Sequence, residues 1–293
     1  MTAEPSTPAL IRETTIADLA AGQVEYRLER GGDSVVVVFH GGHTWAGLAL
    51  SEEVFTAAGC TILVPSRPGY GRTPLSTGTS VQRYTDIVHE LCAHLGINRV
   101  AAVVGVSGGG PTAATMAARH AYVVERLILI SAVGWLPYPG RRTRLGSHLA
   151  FAAGTERLTW AAVHTLARVA PDACLRVMLK SLSTRPVDEV VAALRPQDRA
   201  LLLALFRQMR SGRGFVNDLR PTPDVTGQID QPALVIATRF DGGVPFAHAQ
   251  LLASTIRRAE LIESRADSHF VWLGPDWPAI AERIKAFLSP SPG

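Results

Sequence analysis

The chain has 293 residues, of which 47% are hydrophobic and 18% are charged. This composition is sufficient for a large buried core and excludes disorder over most of the length. The net charge of +4 is mild and no basic stretch is interleaved with aromatic residues, so a nucleic-acid-binding face is excluded.

The cysteines and the apolar segments indicate the cellular compartment in which the protein resides. Three cysteines stand far apart without a C-x-x-C pair, which is typical of buried thiols in a reducing compartment. The N-terminus lacks the basic, apolar and small-residue succession of a signal peptide. The apolar run 201–206 is far too short to span a bilayer. We therefore expect a cytoplasmic protein with no membrane span.

In chain order, apolar strands alternate with helices on either side of a long central segment. Residues 13–39 indicate three strands, and the last of them (34–39) is continuously apolar, as expected of a strand covered on both faces. Strands are also predicted at 61–65, 100–104, 125–132, 233–238 and 260–263, and helices at 52–58, 81–95, 250–256, 278–288 and after residue 110. This alternation predicts an α/β fold with a mainly parallel sheet flanked by helices.

The central segment from about 134 to 231 has helical patterns and no strand-like run. Its helices are predicted at 147–153, 156–169, 171–182, 186–194 and 196–211. We therefore expect residues 1–133 and 232–293 to form the core, and 134–231 to form a helical cap inserted over the active-site edge. The alternative is that some of these helices are ordinary crossovers packed on the sheet.

A Gly-x-Ser-x-Gly motif at Gly105, Ser107 and Gly109 joins the strand 100–104 to the helix that contains Pro111. This is the nucleophile-elbow pattern, in which a sharp turn exposes the serine hydroxyl above the sheet. A Cβ at either glycine is expected to clash where strand and helix nearly touch. A phosphate-binding turn is the alternative, but neither the dinucleotide nor the phosphate-loop motif is present.

Together with other segments, this motif resembles the α/β-hydrolase superfamily over nearly the whole chain. The points of match are His40-Gly41-Gly42, Arg67-Pro68-Gly69-Tyr70-Gly71, the turn around Ser107, Asp241 and His269. The order Ser, Asp, His along the chain is the order that this family uses. The resemblance implies an α/β-hydrolase sheet with a helical cap.

The resemblance also implies a catalytic triad of Ser107, Asp241 and His269. A serine hydroxyl needs a base, and His269 follows the last predicted strand, where this family places its catalytic histidine. Asp241 follows the strand 233–238 and would orient the imidazole, although Asp-Gly is also typical of a plain turn. Asp267 is the alternative acid, but it lies only two residues from His269.

Acyl transfer also needs hydrogen-bond donors for the oxyanion. By resemblance these are the backbone N–H groups of Gly108, after the nucleophile, and of Gly42, in the loop after the strand 34–39. His40 is expected to orient that loop rather than to act as a base. A metal site on His40 and His43 is not expected, because no third ligand stands out.

A serine nucleophile disfavours dehalogenase and epoxide-hydrolase chemistry, because those relatives use aspartate at this position. The predicted function is a carboxylesterase-like serine hydrolase that cleaves a small, largely apolar ester, thioester, lactone or amide, without a cofactor or metal. The alternatives are a C–C bond hydrolase, an acyltransferase or cofactor-free haloperoxidase-like enzyme, and a ligand-binding sensor on the same scaffold.

The expected partner is a small-molecule substrate, and a homodimer is left open. Arg67 either meets a carboxylate or ties down its own loop. The substrate pocket is predicted to be shaped by His43, Trp45, Trp135 and Val244.

Overall fold

A computed structural model describes residues 10–138, 150–152 and 154–289 of the chain. Within these ranges the strands form one sheet. The strands are Thr15–Leu19 (β1), Gly22–Glu29 (β2), Val35–Phe39 (β3), Thr61–Pro65 (β4), Ala102–Val106 (β5), Leu127–Ile130 (β6), Ala233–Thr238 (β7) and Ala259–Ser264 (β8).

The sheet is eight-stranded in the order β1-β2-β4-β3-β5-β6-β7-β8. The pairs β1–β2 and β2–β4 are antiparallel, and every other neighbouring pair is parallel. The predicted α/β class with a mainly parallel sheet is therefore confirmed. Phe39 pairs with Gly105, and Val106 pairs with Ile130, so the loops after β3, β5 and β6 leave the sheet at one edge.

Helices cover both faces of the sheet. They are Glu53–Ala57 (α1), Val81–His94 (α2), Gly110–Arg119 (α3), Glu156–Val169 (α4), Pro171–Leu179 (α5), Val187–Ala193 (α6), Pro196–Phe206 (α7), Gly214–Asp218 (α8), Ala247–Thr255 (α9) and Trp277–Leu288 (α10). Successive strand side chains point to opposite faces, so Val37 and Val103 pack with α2, α3 and α9, while Val36 and Val104 pack with α1 and α10.

In the described part of the segment between β6 and β7 there are five α-helices, α4 to α8, and no strand. Helices α4 to α7 share a hydrophobic cluster built around Trp160, Leu175, Leu202 and Phe206, which Leu48 and Phe270 join from the loops after β3 and β8. This cluster is distinct from the two that cover the faces of the sheet.

The helices of this segment differ from prediction mainly at their ends. The third predicted helix stops at Leu179, and the fifth stops at Phe206. The chain turns after Phe206, and the N–H groups of Ser211 and Gly212 then bind the Glu156 carboxylate. The short α8 was not predicted, and the predicted helix 147–153 falls largely outside the described residues.

Candidate active site

The Gly-x-Ser-x-Gly motif forms a tight turn between β5 and α3. Ser107 has a φ of 51°, in the left-handed region that residues with a Cβ rarely adopt. A Cβ on Gly105 would lie 2.8 Å from the Ala113 Cβ, and one on Gly109 would lie 2.2 Å from the Phe39 oxygen. The expected steric reason for both glycines is therefore confirmed.

Asp241 and His269 come together at the carboxyl ends of β7 and β8. The His269 Nδ1 lies 2.7 Å from the Asp241 Oδ2, and both side chains are buried. The other carboxylate oxygen, Oδ1, accepts the N–H groups of Gly243 at 2.8 Å and Val244 at 2.7 Å. A Cβ on Gly243 would lie 3.3 Å from Asp241 Oδ1 and 3.4 Å from His269 Nδ1, so glycine leaves the pair room.

The alternative acid, Asp267, points elsewhere. Its Oδ1 accepts a hydrogen bond from Arg185 Nη1 at 2.5 Å. Its backbone oxygen accepts the hydroxyl of Ser183 at 2.6 Å. Asp267 is thus engaged with the segment after α5, and Asp241 is the carboxylate that contacts His269.

Gly42 and Gly108 lie on adjoining loops. The Gly42 nitrogen would be 3.5 Å from a Cβ placed on Gly108. His40 and Arg67 hold the first of these loops, since His40 Nε2 accepts the Arg67 N–H at 3.0 Å. Arg67 Nε donates to the His40 oxygen at 3.0 Å, and its Nη2 donates to the Gly41 oxygen at 3.1 Å.

His40 is neutral in this environment. Burial, and then the charge of Arg67, lowers the pKa of His40 to about 3. Its Nε2 accepts the Arg67 N–H, so the ring proton resides on Nδ1, which donates to the Gly41 oxygen at 2.9 Å. These bonds suit the expected role of orienting the loop.

Of the two roles considered for Arg67, its contacts favour the one within the protein. Its Nη1 donates to Asp218 Oδ1 at 2.7 Å, and its backbone N–H donates to His40 Nε2, so the loop after β4 is tied both to α8 and to the loop after β3. Tyr70 donates its hydroxyl to Asp218 Oδ2 at 2.6 Å. Burial lowers the pKa of Arg67, but the Asp218 carboxylate together with the nearby Tyr70 and Tyr84 leaves the pKa raised. An ion pair with a buried Arg67 and a partly exposed Asp218 thus joins α8 to the loop after β4.

A cavity of about 190 Å³ lies above the carboxyl edge of the sheet. Ser107, His269, Gly42, Gly108 and His43 all line it. Asp241 is not in its wall but lies behind His269. The predicted nucleophile, base and oxyanion donors are therefore gathered around one space.

Three of the four residues predicted to shape the pocket require correction. Trp45 and Val244 do not line this cavity: Trp45 packs with the hydrophobic cluster of α4 to α7, and Val244 is buried with its N–H bound to Asp241. Trp135 lines an adjoining outer cavity of about 620 Å³, where its indole N–H donates to the Pro223 oxygen. Gly108 and Asp218 line both cavities, so the two meet beside Gly108.

Several residues around the cavity were missed by sequence reasoning. Phe215 and Asp218 on α8 line it, as does Met209 in the turn before that helix. No motif marks them, because their place depends on how the helical segment folds back over the sheet. Ser211 was also missed, although it contacts the predicted pocket residue His43.

Two searches of the described ranges concern other kinds of site. Within them, no three or more His, Cys, Asp or Glu side chains are grouped as metal ligands would be. No helix in those ranges has the length and apolar character needed to cross a bilayer.

The alpha/beta hydrolase fold family model matches residues 34–274. The chain belongs to this family. It is 30% identical to an uncharacterized hydrolase, YcgS, of Bacillus subtilis strain 168. That match extends over 273 residues and covers 91% of this chain and 95% of the Bacillus protein. The structure of an alpha/beta hydrolase fold protein from Nakamurella multipartita matches this chain with a TM-score of 0.80 and 25% sequence identity, over 94% of this chain and 99% of the Nakamurella chain.

A shorter match connects this α/β hydrolase to a relative with a stated reaction. Over 114 residues it is 30% identical to a 2-hydroxy-6-oxononadienedioate/2-hydroxy-6-oxononatrienedioate hydrolase of a Pseudomonas species, spanning 37% of this chain and 40% of that protein. The family and these relatives together support a hydrolase.

Proposed function

We propose that this α/β hydrolase is a serine hydrolase that cleaves a small, largely apolar ester, thioester, lactone or amide through an acyl-enzyme on Ser107. The observation that carries the proposal is the 2.7 Å contact of Asp241 with His269, which shares one cavity with Ser107. A buried carboxylate in contact with Nδ1 leaves Nε2 free to take a proton from a neighbouring hydroxyl.

In the proposed reaction, Ser107 Oγ attacks the substrate carbonyl while His269 Nε2 takes the hydroxyl proton. Asp241 accepts the Nδ1–H of His269, which keeps the useful tautomer and stabilises the imidazolium. The imidazolium then gives its proton to the leaving group as the carbonyl–leaving-group bond breaks. Water, activated by the same histidine, attacks the acyl-enzyme and releases the acid and the free serine.

The oxyanion of each tetrahedral intermediate would accept the N–H groups of Gly42 and Gly108. The hydrogen bonds of Arg67 support this assignment, because they fix two carbonyl groups in the loop that leads to Gly42. The ion pair with Asp218 holds the Arg67 side chain in position for these bonds. Loss of one oxyanion donor typically costs about 2.7–4 kcal/mol of transition-state stabilisation.

A small, apolar substrate is supported by the walls of the cavity. About 190 Å³ is below the range usual for drug-sized ligands. Its apolar lining includes Leu50, Leu182, Leu205, Phe270 and Trp272. We propose that residues 134–231 form a cap over it, because Leu182 and Leu205 come from that segment.

The cavity's charges favour an uncharged substrate over the dioate named for the Pseudomonas relative. Among the described residues that line it there is no arginine or lysine, and Asp218 contributes a carboxylate. Arg67 is buried and paired with that carboxylate. The described wall of this cavity therefore offers a dicarboxylate no unpaired cation, and burial of such a substrate would leave its charges without a partner.

A fluorophosphonate probe tests the proposed nucleophile. We expect it to label the wild type and Ser254→Ala, which removes an exposed hydroxyl from α9, but not Ser107→Ala. Circular dichroism must show that Ser107→Ala is folded. A folded wild type that stays unlabelled, or a labelled Ser107→Ala, would overturn the proposal.

Chromogenic esters of graded acyl length test the substrate class. We expect kcat/KM to rise over short chains and then to fall once the acyl group exceeds the cavity. A steady rise to long chains, or a preference for dicarboxylates, would contradict the proposed substrate.

A further inference from the structure

The imidazole of His43 lies where the loop after β3 meets the helical segment. Its ring centroid is 4.1 Å from that of Phe215, 4.7 Å from that of Phe151 and 5.2 Å from that of Trp160. The side chain also lines the cavity that contains Ser107. It is thus a polar ring held among aromatic ones at the edge of the proposed substrate site.

Two hydrogen bonds determine which nitrogen of His43 carries the proton. Trp160 Nε1 donates to Ser211 Oγ at 2.8 Å, and Ser211 Oγ lies 2.6 Å from His43 Nδ1. An indole N–H can only donate, so the serine oxygen accepts it. The serine oxygen has a second lone pair, but its own proton also needs an acceptor, and among the described residues that acceptor is His43 Nδ1. In the neutral ring the proton therefore resides on Nε2.

The ring is neutral over the ordinary pH range. Burial, and then the charge of Arg67, lowers the pKa of His43 to about 3. The residue has a φ of 64°, which for a residue with a Cβ costs about 1–3 kcal/mol. The Arg210 N–H donates to the His43 oxygen at 2.9 Å, so the backbone and the ring are both held in place.

The remaining donor, Nε2–H, has no protein partner within the described ranges. His43 directly follows Gly42, and consecutive Cα atoms lie about 3.8 Å apart. Because His43 lines the cavity and its Nδ1 is held by Ser211, we place this unused donor at the cavity wall, next to the proposed oxyanion site. A substrate without a matching acceptor would leave this donor unpaired in a desolvated space.

We propose that His43 is a specificity residue that donates its Nε2–H to an acceptor oxygen on the substrate. The substrate class is then narrowed to small apolar esters or lactones with a second acceptor oxygen a few bonds from the scissile carbonyl. This inference rests on the proposed function, because it requires substrate to bind in the cavity at Ser107.

Matched pairs of esters test the proposal. In one series of p-nitrophenyl esters a single methylene of the acyl chain is replaced by an ether oxygen, position by position. A second series places the ether oxygen in the alcohol. We expect the wild type to prefer one ether ester over its all-carbon partner by about tenfold or more in kcat/KM, the ratio given by one hydrogen bond of about 1.4 kcal/mol.

Two variants assign that preference to the Nε2–H. His43→Phe keeps an aromatic ring and removes the donor, and we expect its preference to fall to about one. His43→Gln keeps an N–H donor at similar reach, and we expect it to retain part of the preference. A full preference in folded His43→Phe would overturn the proposal.

Labelling by the fluorophosphonate probe distinguishes a failure of the His43 proposal from a failure of the proposed function. A wild type that is labelled and hydrolyses all-carbon esters, but prefers no ether ester in either series, overturns the role of His43 alone. A folded wild type that is not labelled overturns the proposed function itself. If His43→Phe does not fold, the wild type and His43→Gln still test the proposal. A ratio of kcat/KM for ether over all-carbon esters near one in both proteins would overturn it.

Discussion

Ser107 occupies a backbone conformation that its own Cβ disfavours. At a φ of 51° a glycine would be unstrained, so the position sacrifices stability to present a side chain. We predict that Ser107→Gly is more stable than Ser107→Ala by about 1 kcal/mol, because the alanine keeps the strain. Urea denaturation of the two variants measures the difference.

Ser254 on α9 provides the control for this comparison. Its backbone is helical and its side chain is exposed, so alanine should be at least as stable as glycine there. If Ser107→Ala is more stable than Ser107→Gly, the turn is not strained.

The contact between Asp241 and His269 predicts a large loss of activity in Asp241→Asn. An amide can donate to Nδ1, which would favour the wrong imidazole tautomer. We expect kcat to fall by about 10⁴-fold, the size seen when the aspartate of such a triad becomes asparagine. Steady-state kinetics on a chromogenic ester measure this, and Asp267→Asn should change kcat little. The reverse ranking would identify Asp267 as the acid.

Because His40 is buried and neutral, we predict that the stability of the protein falls as the pH is lowered. Its folded pKa of about 3 lies below the ordinary value of 6.5, so between these pH values the unfolded chain binds a proton that the folded chain does not. The stability contributed by the neutral ring is complete above pH 6.5 and is lost as the pH falls. Each such histidine should lower the free energy of unfolding by about 1.4 kcal/mol per pH unit.

Urea titrations at pH 7, 6 and 5 compare the wild type with His40→Gln. Gln offers an acceptor for the Arg67 N–H but does not titrate. We expect the wild type to lose stability more steeply, with a difference that approaches about 1.4 kcal/mol per pH unit below about pH 6. Parallel curves for the two proteins would mean that His40 is protonated in the folded state as easily as in the unfolded one.

At the scale of elements, the short helix α8 is joined to the core by Asp218. Arg67 has 3% of its side chain exposed and Asp218 has 21%, so removal of either partner leaves the other charge poorly solvated. We predict that Asp218→Leu lowers the free energy of unfolding by about 3 kcal/mol. It should also lower kcat/KM, since Arg67 holds the loop before Gly42.

The double variant Arg67→Met with Asp218→Leu tests whether an unpaired charge causes that loss. With both charges removed, we expect it to be more stable than the sum of the single losses predicts, by about 1–3 kcal/mol. Denaturation curves of all four proteins form a double-mutant cycle. Additive losses would show that the two side chains contribute independently.

Across the whole molecule, stability should be lowest in the helical segment. Strands β3 and β5 are buried on both faces at the centre of the sheet, whereas α4 to α7 pack on a separate cluster. Hydrogen exchange should therefore protect the amides of β3 and β5 most, and those of α4 should exchange through openings of lower free energy. Equal protection of α4 and β5 would indicate one cooperative unit with no independent cap.

Much of this architecture could be predicted because its signals are local. Continuous apolar runs predict strands covered on both faces, and β3, β4 and β5 were predicted within one or two residues. Gly105 and Gly109 flank the serine because a strand and a helix must nearly touch there. These patterns lie within a few residues of one another, so the sequence alone carries them.

Contacts between segments that are distant in the chain were decided only by the tertiary structure. Arg67 meets Asp218 across 151 residues, and His43 meets Ser211 across 168. Trp45 and Val244 point away from the cavity for the same kind of reason: neighbours from other elements determine where their side chains pack. The amino-acid sequence therefore determined the sheet, the strained serine turn and the family. How the helices fold back over the sheet edge decided the shape, charge and hydrogen-bond donors of the cavity, because those depend on side chains that no local pattern connects.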